Sequence, residues 1–465
     1  MKLSALTDGF NGGEGLRYGR LMLTLDELRA DVETGAVDTV IAAFTDMQGR
    51  LMGKRLDADF FLSELQDGHG SEGCNYLLAL EMEMEPVPGY AIASWERGYG
   101  DFGLMPDLAT LRRIPWHEAT AMVQCDVEWH DGTPVGPSPR QVLKAQVEKA
   151  RALGYEPMFG SELEFFLFRE SYAEAHAQHY HDLTPSVPYI LDYHILGSSY
   201  DEPFLREVRT SMKTAGMRVE SSKGEAWAGQ HEINFRYADA LKAADDHVVY
   251  KTGIKEIAYQ RGCSVTFMAK PDHTWVGSSC HIHSSLWQDG KAAFAGESDV
   301  FKHYLAGQIA CAAELAIFYA PTINSYKRFA AGSWAPTTLA WGYDNRTCGF
   351  RVVGKGSALR AETRIPGADA NPYLAFAALL AAGLYGIEQK LELGPPLEGN
   401  AYVSDAQRFP HAMRDAITEL EQGTVARQLL GDDVIDHYLN YARTERDLFD
   451  KVVTGYERER MFERG

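Results

Sequence analysis

Glu162 and Glu164 are separated by one residue inside the aromatic run GSELEFFLF. Side chains alternate between the two faces of a strand, so these carboxylates share a face, about 6 to 7 Å apart at Cα. Two anions so placed repel each other, and desolvation raises their pKa values unless a cation stands between them. The pattern recurs. In GEAWAGQHEINFR, Glu225 precedes a stretch on which Glu232, Asn234 and Arg236 share a face opposite Ile233 and Phe235. In SSCHIHSSLW, His281 and His283 stand opposite Cys280 and Ile282, and in LRAETRIP, Arg360, Glu362 and Arg364 stand opposite Ala361 and Thr363. One such strand reads as well as a solvated sheet face; four predict a funnel between strands of one sheet. Five carboxylates and an imidazole form two sets of hard ligands, suited to Mg²⁺ or Mn²⁺ and poorly to zinc. Phosphoryl transfer needs such ions, because charge spreads over the phosphoryl oxygens.

Between Lys327 and Arg364 the chain carries Arg328, Arg346, Arg351, Arg360 and Arg364 against Asp344 and Glu362. Singly, each arginine reads as a surface ion pair; together, in a chain of net charge −20, they predict a cradle for carboxylate or phosphate. Two apparent nucleotide motifs fail on context. Gly98 to Gly103 fits G-x-G-x-x-G, but Met105-Pro106 follows where a helix should open. Gly349 to Lys355 resembles a phosphate loop, but Gly356 stands where the metal-binding hydroxyl belongs.

The elements that must position these groups need a long chain, and 465 residues at 45% hydrophobic content allow two or three domains with a large core. The acidic balance disfavours nucleic acid as a partner. The first 20 residues lack the apolar stretch of an export signal, six scattered cysteines read as buried thiols of a cytoplasmic protein, and PYLAFAALLAAGLYGI is too short for a bilayer. That segment reads instead as a core helix. Residues 22–34 predict a short helix, and VDTVIAAFTDMQGRLMGKRL two strands turning at Gln48-Gly49. The Gly- and Pro-rich stretch after Gly98 places a boundary near residue 111, dividing a small module (1–111) from a larger one (112–465) that opens with the helix SPRQVLKAQVEKARALGY.

With FTDMQGR, GSELEFFLF, GQHEI, CHIH, NSYKR, NR with Arg five positions on, and RAETRIPGADANPYL in this order, the chain resembles the glutamine synthetase family from about residue 36 to 390. The resemblance implies an α+β fold: a small β-grasp-like N-terminal domain and a catalytic domain with a curved antiparallel sheet flanked by helices. It implies ATP, two or three Mg²⁺ or Mn²⁺ ions per site, and a dodecamer of two stacked hexameric rings in which Asp46 reaches a neighbour's site. Carried over by position, Glu164, Glu225 and Glu232 would bind one metal, and Glu162, His281 and Glu362 the other. Gly277 and Arg328 would hold glutamate, while Arg346, Arg351 and Arg364 would face the transferring phosphoryl. Glu220, His283, Ser285 and Arg360 would contact the nucleotide. Glutamate would take the γ-phosphate of ATP to give γ-glutamyl phosphate, from which an amine displaces phosphate.

Two positions depart from the pattern of ammonia-using members, both at the ammonium end. Six residues past Arg328, where those members carry a flap glutamate, stands Trp334; before Gly277, in place of asparagine, stands Val276. An indole and a valine make an apolar wall, which predicts an organic amine whose carbons pack there, a small monoamine such as ethanolamine ahead of a polyamine. An alkylammonium has a pKa near 10.4, so freeing its lone pair at pH 7 costs about 4 to 5 kcal/mol, and Asp46 is the expected base. The alternatives are a γ-glutamylpolyamine synthetase, a glutamine synthetase using ammonia, and a catalytically inactive structural or regulatory member. Tyr402, where some members are adenylylated, reads as an ordinary loop aromatic.

Overall fold

A computed structural model describes residues 22–465; the expectation for the opening 20 residues lies outside them. The first helix, Leu25–Glu33, begins on a reciprocal cap: Thr24 Oγ1 accepts the Glu27 amide, and the Glu27 carboxylate accepts the Thr24 amide at 2.8 Å. The two predicted strands follow, β1 (Thr39–Thr45) and β2 (Leu51–Asp57), paired antiparallel through a turn in which Gly49 holds φ +81°. With β3 (Ser71–Cys74), β4 (Asp101–Arg113) and β5 (Thr120–Glu128) they form a five-stranded sheet, order β2-β1-β5-β4-β3. β5 lies parallel to β1, and all other pairs are antiparallel.

This sheet corrects the boundary near residue 111. That position lies inside β4, and β4 and β5 pair with each other, so the division consistent with the strand order falls after Glu128. The residues after Gly98 lead into β4 and not into a helix, and Gly349 to Lys355 enters a strand, so neither nucleotide motif has the context it needs.

The larger unit opens with the helix Pro139–Ala152, with Pro at its first position behind Ser138. Its sheet comprises β6 (Glu156–Phe168), β7 (Val219–Gly224), β8 (Gln230–Phe235), β9 (Ala238–Asp239), β10 (Ser264–Thr266), β11 (Cys280–Gln288), β12 (Lys291–Ala292), β13 (Trp341–Tyr343), β14 (Phe350–Val353) and β15 (Arg360–Thr363). The main order is β13-β14-β15-β11-β6-β8-β7, antiparallel except for the parallel pair β13/β14. Alternation fixes which face does what. Phe159, Leu163 and Phe165 of β6 are buried toward the helices, with the Phe159 ring centroid 4.9 Å from that of Phe376 at a tilt of 33°, while Glu162 and Glu164 face the other way.

Phe376 belongs to the helix Pro372–Gln389, formed by PYLAFAALLAAGLYGI and buried on nearly every side. Its small residues have a specific use. A Cβ on Gly386 would lie 2.0 Å from the His303 carbonyl, and one on Gly307, in the facing helix Asp299–Cys311, 2.1 Å from the Ala382 carbonyl. The two helices therefore meet backbone to backbone and make a rigid floor under the sheet. No helix of the described residues is long and apolar enough to cross a membrane. All six cysteines are free; Cys74 and Cys263 are only half-buried, which corrects the expectation that every thiol is enclosed.

Candidate functional site

The four polar-faced strands are consecutive neighbours, β15-β11-β6-β8, and their register sets the charged residues side by side. Glu362 stands opposite His283, His281 opposite Glu162, and Glu164 opposite Glu232. Two groups of ligating atoms converge, each within 4.8 Å: Glu164, Glu225 and Glu232, and Glu162, His283 and Glu362.

In the first group Ser279 and Gln230 fix Glu164: the Ser279 amide donates at 2.8 Å, its hydroxyl at 2.5 Å and the Gln230 amide at 3.2 Å. Asn234 donates to Glu232 at 2.9 Å. Lys223 is bonded to Glu225 and lies 3.9 Å from Glu232. It does not balance three anions. Burial first, then the Glu164 charge, pushes Glu225 up to about 7, and burial with the charges of Glu225 and Glu162 raises Glu232 well above the ordinary carboxylate range. An excess of buried carboxylate oxygen is the donor chemistry that fits a hard divalent cation.

In the second group the balance is reversed. Burial raises Glu162, but hydrogen bonds and charge from His281 and His283 outweigh it and lower its pKa. Glu362 accepts from Arg364 at 2.6 Å and Arg351 at 2.7 Å; these arginines and the two histidines likewise overcome burial and hold it below its usual value. His283 is the ring in that trio, but the expected His281 contacts both carboxylates, its Nδ1 lying 3.3 Å from Glu162 and 3.8 Å from Glu362. Hydrogen bonding separates the two rings. Arg360 Nε donates to His283 Nδ1 at 3.1 Å, so His283 Nε2 carries the proton it offers Glu162 at 3.0 Å and has no lone pair for a cation. No such donor fixes His281 among the described residues, so of the two it is the ring able to serve as a ligand.

Two cavities meet along these carboxylates. One, about 760 Å³, is lined by Glu220, His283, Ser285 and Arg360; the other, about 680 Å³, by Gly277, Val276, Arg328, Trp334, Arg346, Arg351 and Arg364. Glu162, Glu220 and Asn234 line both, so the expected nucleotide and glutamate residues border one continuous cleft. Within it Arg328 is 2% exposed, donating only to the carbonyls of Ile365 (2.7 Å) and Arg364 (3.0 Å), with no carboxylate at ion-pair distance among the described residues. A buried guanidinium with no carboxylate in direct contact, its pKa lowered to about 10 chiefly by burial, suits an anionic ligand. Gly277 admits its stem, since a Cβ there would lie 2.7 Å from Arg328 Cγ. Arg364 Nε is also buried without a partner.

Asp46 is not brought to this cleft. Its carboxylate is 1% exposed and accepts from the Gln48 and Arg50 amides and from Arg50 Nε at 2.6 Å, closing its own turn. The base role expected of it belongs to the site of a neighbouring copy and not to the cleft of its own chain. Lys223, Ser279 and Gln230 were not singled out in the sequence; Lys223, two residues before Glu225 and paired with Glu232 across strands, left that proximity as its signal.

Comparison with known proteins agrees with this geometry. A family model described as glutamine synthetase, catalytic domain, matches residues 137–461. The chain is 54% identical over 446 residues to the γ-glutamylethanolamide synthetase GlnA4 of Streptomyces coelicolor, covering 95% of this chain and 96% of that one. It is 39% identical to a glutamate–isopropylamine ligase of a Pseudomonas species (93% and 96% covered) and 32% identical to a glutamine synthetase of Thermotoga maritima (94% and 99%). A solved structure of GmaS in complex with ADP superimposes with a TM-score of 0.81 at 28% identity, over 94% of this chain and 99% of that one.

Proposed function

This chain belongs to the glutamine synthetase family, and we propose that it is an ATP-dependent ligase joining the γ-carboxylate of glutamate to a small primary monoamine, with ethanolamine as the favoured substrate. The observation that carries the amine assignment is the placement of Trp334 and Val276 in the same cavity as Gly277 and Arg328. The names of two relatives, a γ-glutamylethanolamide synthetase and a glutamate–isopropylamine ligase, support it.

Divalent cations, Mg²⁺ or Mn²⁺, held by Glu164, Glu225 and Glu232 and by Glu162, His281 and Glu362, supply neutralisation of phosphoryl charge when bound. Arg328 pairs with the α-carboxylate of glutamate. Glu220, His283, Ser285 and Arg360 receive the nucleotide, and Arg346, Arg351 and Arg364 draw the γ-phosphoryl toward glutamate. A γ-carboxylate oxygen bonds to the γ-phosphorus as the bond to ADP breaks. The amine nitrogen then bonds to the acyl carbon as the bond to phosphate breaks, phosphate leaves, and the nitrogen's proton passes to Asp46 of a neighbouring copy, the base expected there. Trp334 and Val276 shed water around the amine's carbons, where an ammonium ion would lack acceptors. Two stacked hexameric rings, in the cytoplasm, complete the proposal.

Phosphate release measured with ammonia, ethanolamine, putrescine and spermine tests this. Ethanolamine giving the highest kcat/KM is expected, and ammonia as the best substrate returns the chain to glutamine synthetase proper. An inactive member is disfavoured because all six ligand positions hold ligating side chains.

A further inference from the structure

Trp334 holds φ +64°, a left-handed conformation that a bulky residue keeps only where its surroundings impose it. The residue is 60% exposed, so core packing is not what imposes it. Both chain neighbours are tied down. On one side Ser333 Oγ bonds back to the carbonyls of Ala330 (2.6 Å) and Arg328 (3.1 Å), joining the turn to the residue proposed to hold glutamate. On the other side the Tyr402 hydroxyl, on a segment some 70 positions later in sequence, donates to the Ala335 carbonyl at 3.0 Å.

The segment carrying Tyr402 is itself laced to the strand of chain beyond Trp334. The Leu339 amide donates to the Gln407 carbonyl at 2.8 Å, the Phe409 amide to the Thr337 carbonyl at 3.1 Å, and Arg408 to Thr337 Oγ1 at 2.9 Å and the Tyr402 carbonyl at 3.1 Å. Residues 401–409 thus form a strap over residues 335–339, and the Tyr402 hydroxyl bonds the residue that follows Trp334. Trp334 also stands between two spaces: the cavity with Val276, Gly277 and Arg328, and a shallower cleft with Tyr343, Asp344 and Glu398. A shift of the Ala335 carbonyl moves the wall that divides them.

We propose that Tyr402 is a positioning residue for amine selection: its hydrogen bond to Ala335 sets the place of Trp334 and so the size of the amine pocket, without touching substrate. This rests on the ligase reading above. It also revises the expectation that Tyr402 is an ordinary loop aromatic.

The experiment measures kcat and KM for ethanolamine, ammonia, glutamate and ATP in the wild type, Tyr402→Phe, Trp334→Ala and the double variant. Removing one hydrogen bond changes an equilibrium by roughly three- to tenfold. Tyr402→Phe is therefore expected to raise the KM for ethanolamine by about that factor, with kcat and the KM values for glutamate and ATP within about twofold of wild type. In the Trp334→Ala background the same substitution is expected to have no further effect on amine preference. Equal changes in all three KM values, or an undiminished Tyr402→Phe effect without the indole, overturn the proposal. An unchanged ethanolamine KM in Tyr402→Phe overturns it too. Should Trp334→Ala itself leave amine preference unaltered, the amine-wall reading fails, and the positioning role with it. Thermal unfolding of Tyr402→Phe near the wild-type midpoint guards against a merely unfolded loop.

Discussion

Glu164 and Glu232 stand directly opposite each other across the β6–β8 ladder, both buried, with Glu225 close enough that three carboxylate oxygens gather within 4.8 Å. Like charges directly across a sheet destabilise it, and Lys223 offsets only part of the repulsion. The fold therefore keeps a strained cluster that a bound cation would relieve.

Replacing one of these anions separates stability from activity. Glu232→Gln is expected to raise the thermal midpoint of the metal-free protein, because a buried carboxyl whose ionisation the fold opposes is removed, and to abolish most of the stabilisation by added Mg²⁺ or Mn²⁺. Its kcat/KM should fall by more than about 100-fold, beyond the usual range for losing an outer partner of a metal ligand. Calorimetry with and without metal, beside a phosphate-release assay, checks both; a lower metal-free midpoint contradicts the strain argument.

The raised pKa of Glu225 gives metal binding a pH dependence of known sign. In the metal-free fold this group stays protonated up to about pH 7, while in the unfolded chain it ionises near 4.5. The folded state thus binds more protons between those values, and its stability falls as pH rises through that window. A bound cation needs the ionised form, so affinity should strengthen from pH 6 to pH 8 with proton release. Titration calorimetry in buffers of different ionisation enthalpy measures this, and a pH-independent affinity contradicts it.

Gly277→Ala tests the cradle around Arg328. The added Cβ would lie 2.6 Å from the Ala269 carbonyl and 2.7 Å from Arg328 Cγ, so the guanidinium must move. Overpacking of this kind costs about 1 to 3 kcal/mol, which predicts a rise in the glutamate KM of roughly tenfold or more with the ATP KM little changed. Steady-state kinetics varying each substrate decides; equal effects on both indicate a general distortion.

Acid should weaken the fold through buried histidines away from the cleft. Burial lowers His437, which lies 2.9 Å from Met47 Sδ, to about 3. Between pH 6.5 and 3 the unfolded chain binds a proton that the folded one refuses, so stability is lost as pH falls through that range. At pH 5 this amounts to about 2 kcal/mol. His437→Gln is expected to lower the thermal midpoint at pH 7 yet flatten its decline between pH 6.5 and 5; an unchanged slope assigns acid sensitivity elsewhere.

Much of this site was legible because strands have a period of two. Glu162 with Glu164, His281 with His283, and Glu362 beside Arg360 each announce a polar face opposite an apolar one, whatever the strand order. Spacing could not say which ring serves as a ligand, since His281 and His283 share a face and only Arg360, 77 positions away, distinguishes them. Lys223 escaped notice because SSK in β7 carries no apolar alternation, and its role comes from pairing with β8. The boundary was misplaced because Gly103, Pro106 and a register shift between Asp107 and Arg112 make β4 resemble a linker, while β5 joins the sheet through parallel pairing with the distant β1. Asp46 is held by Arg50 within its own turn, and the site it is expected to serve belongs to a neighbouring copy.

The measurement that bears most directly on the account is the ratio of kcat/KM for ethanolamine to that for ammonia, in the wild type and in Trp334→Glu. Discrimination by an apolar wall spans about 10- to 200-fold. The wild type should favour ethanolamine by a factor in or above that range, and Trp334→Glu, which restores an acceptor beside Arg328 and Gly277, should lower the ratio at least tenfold. A wild-type ratio below one, or a ratio indifferent to Trp334, would contradict it.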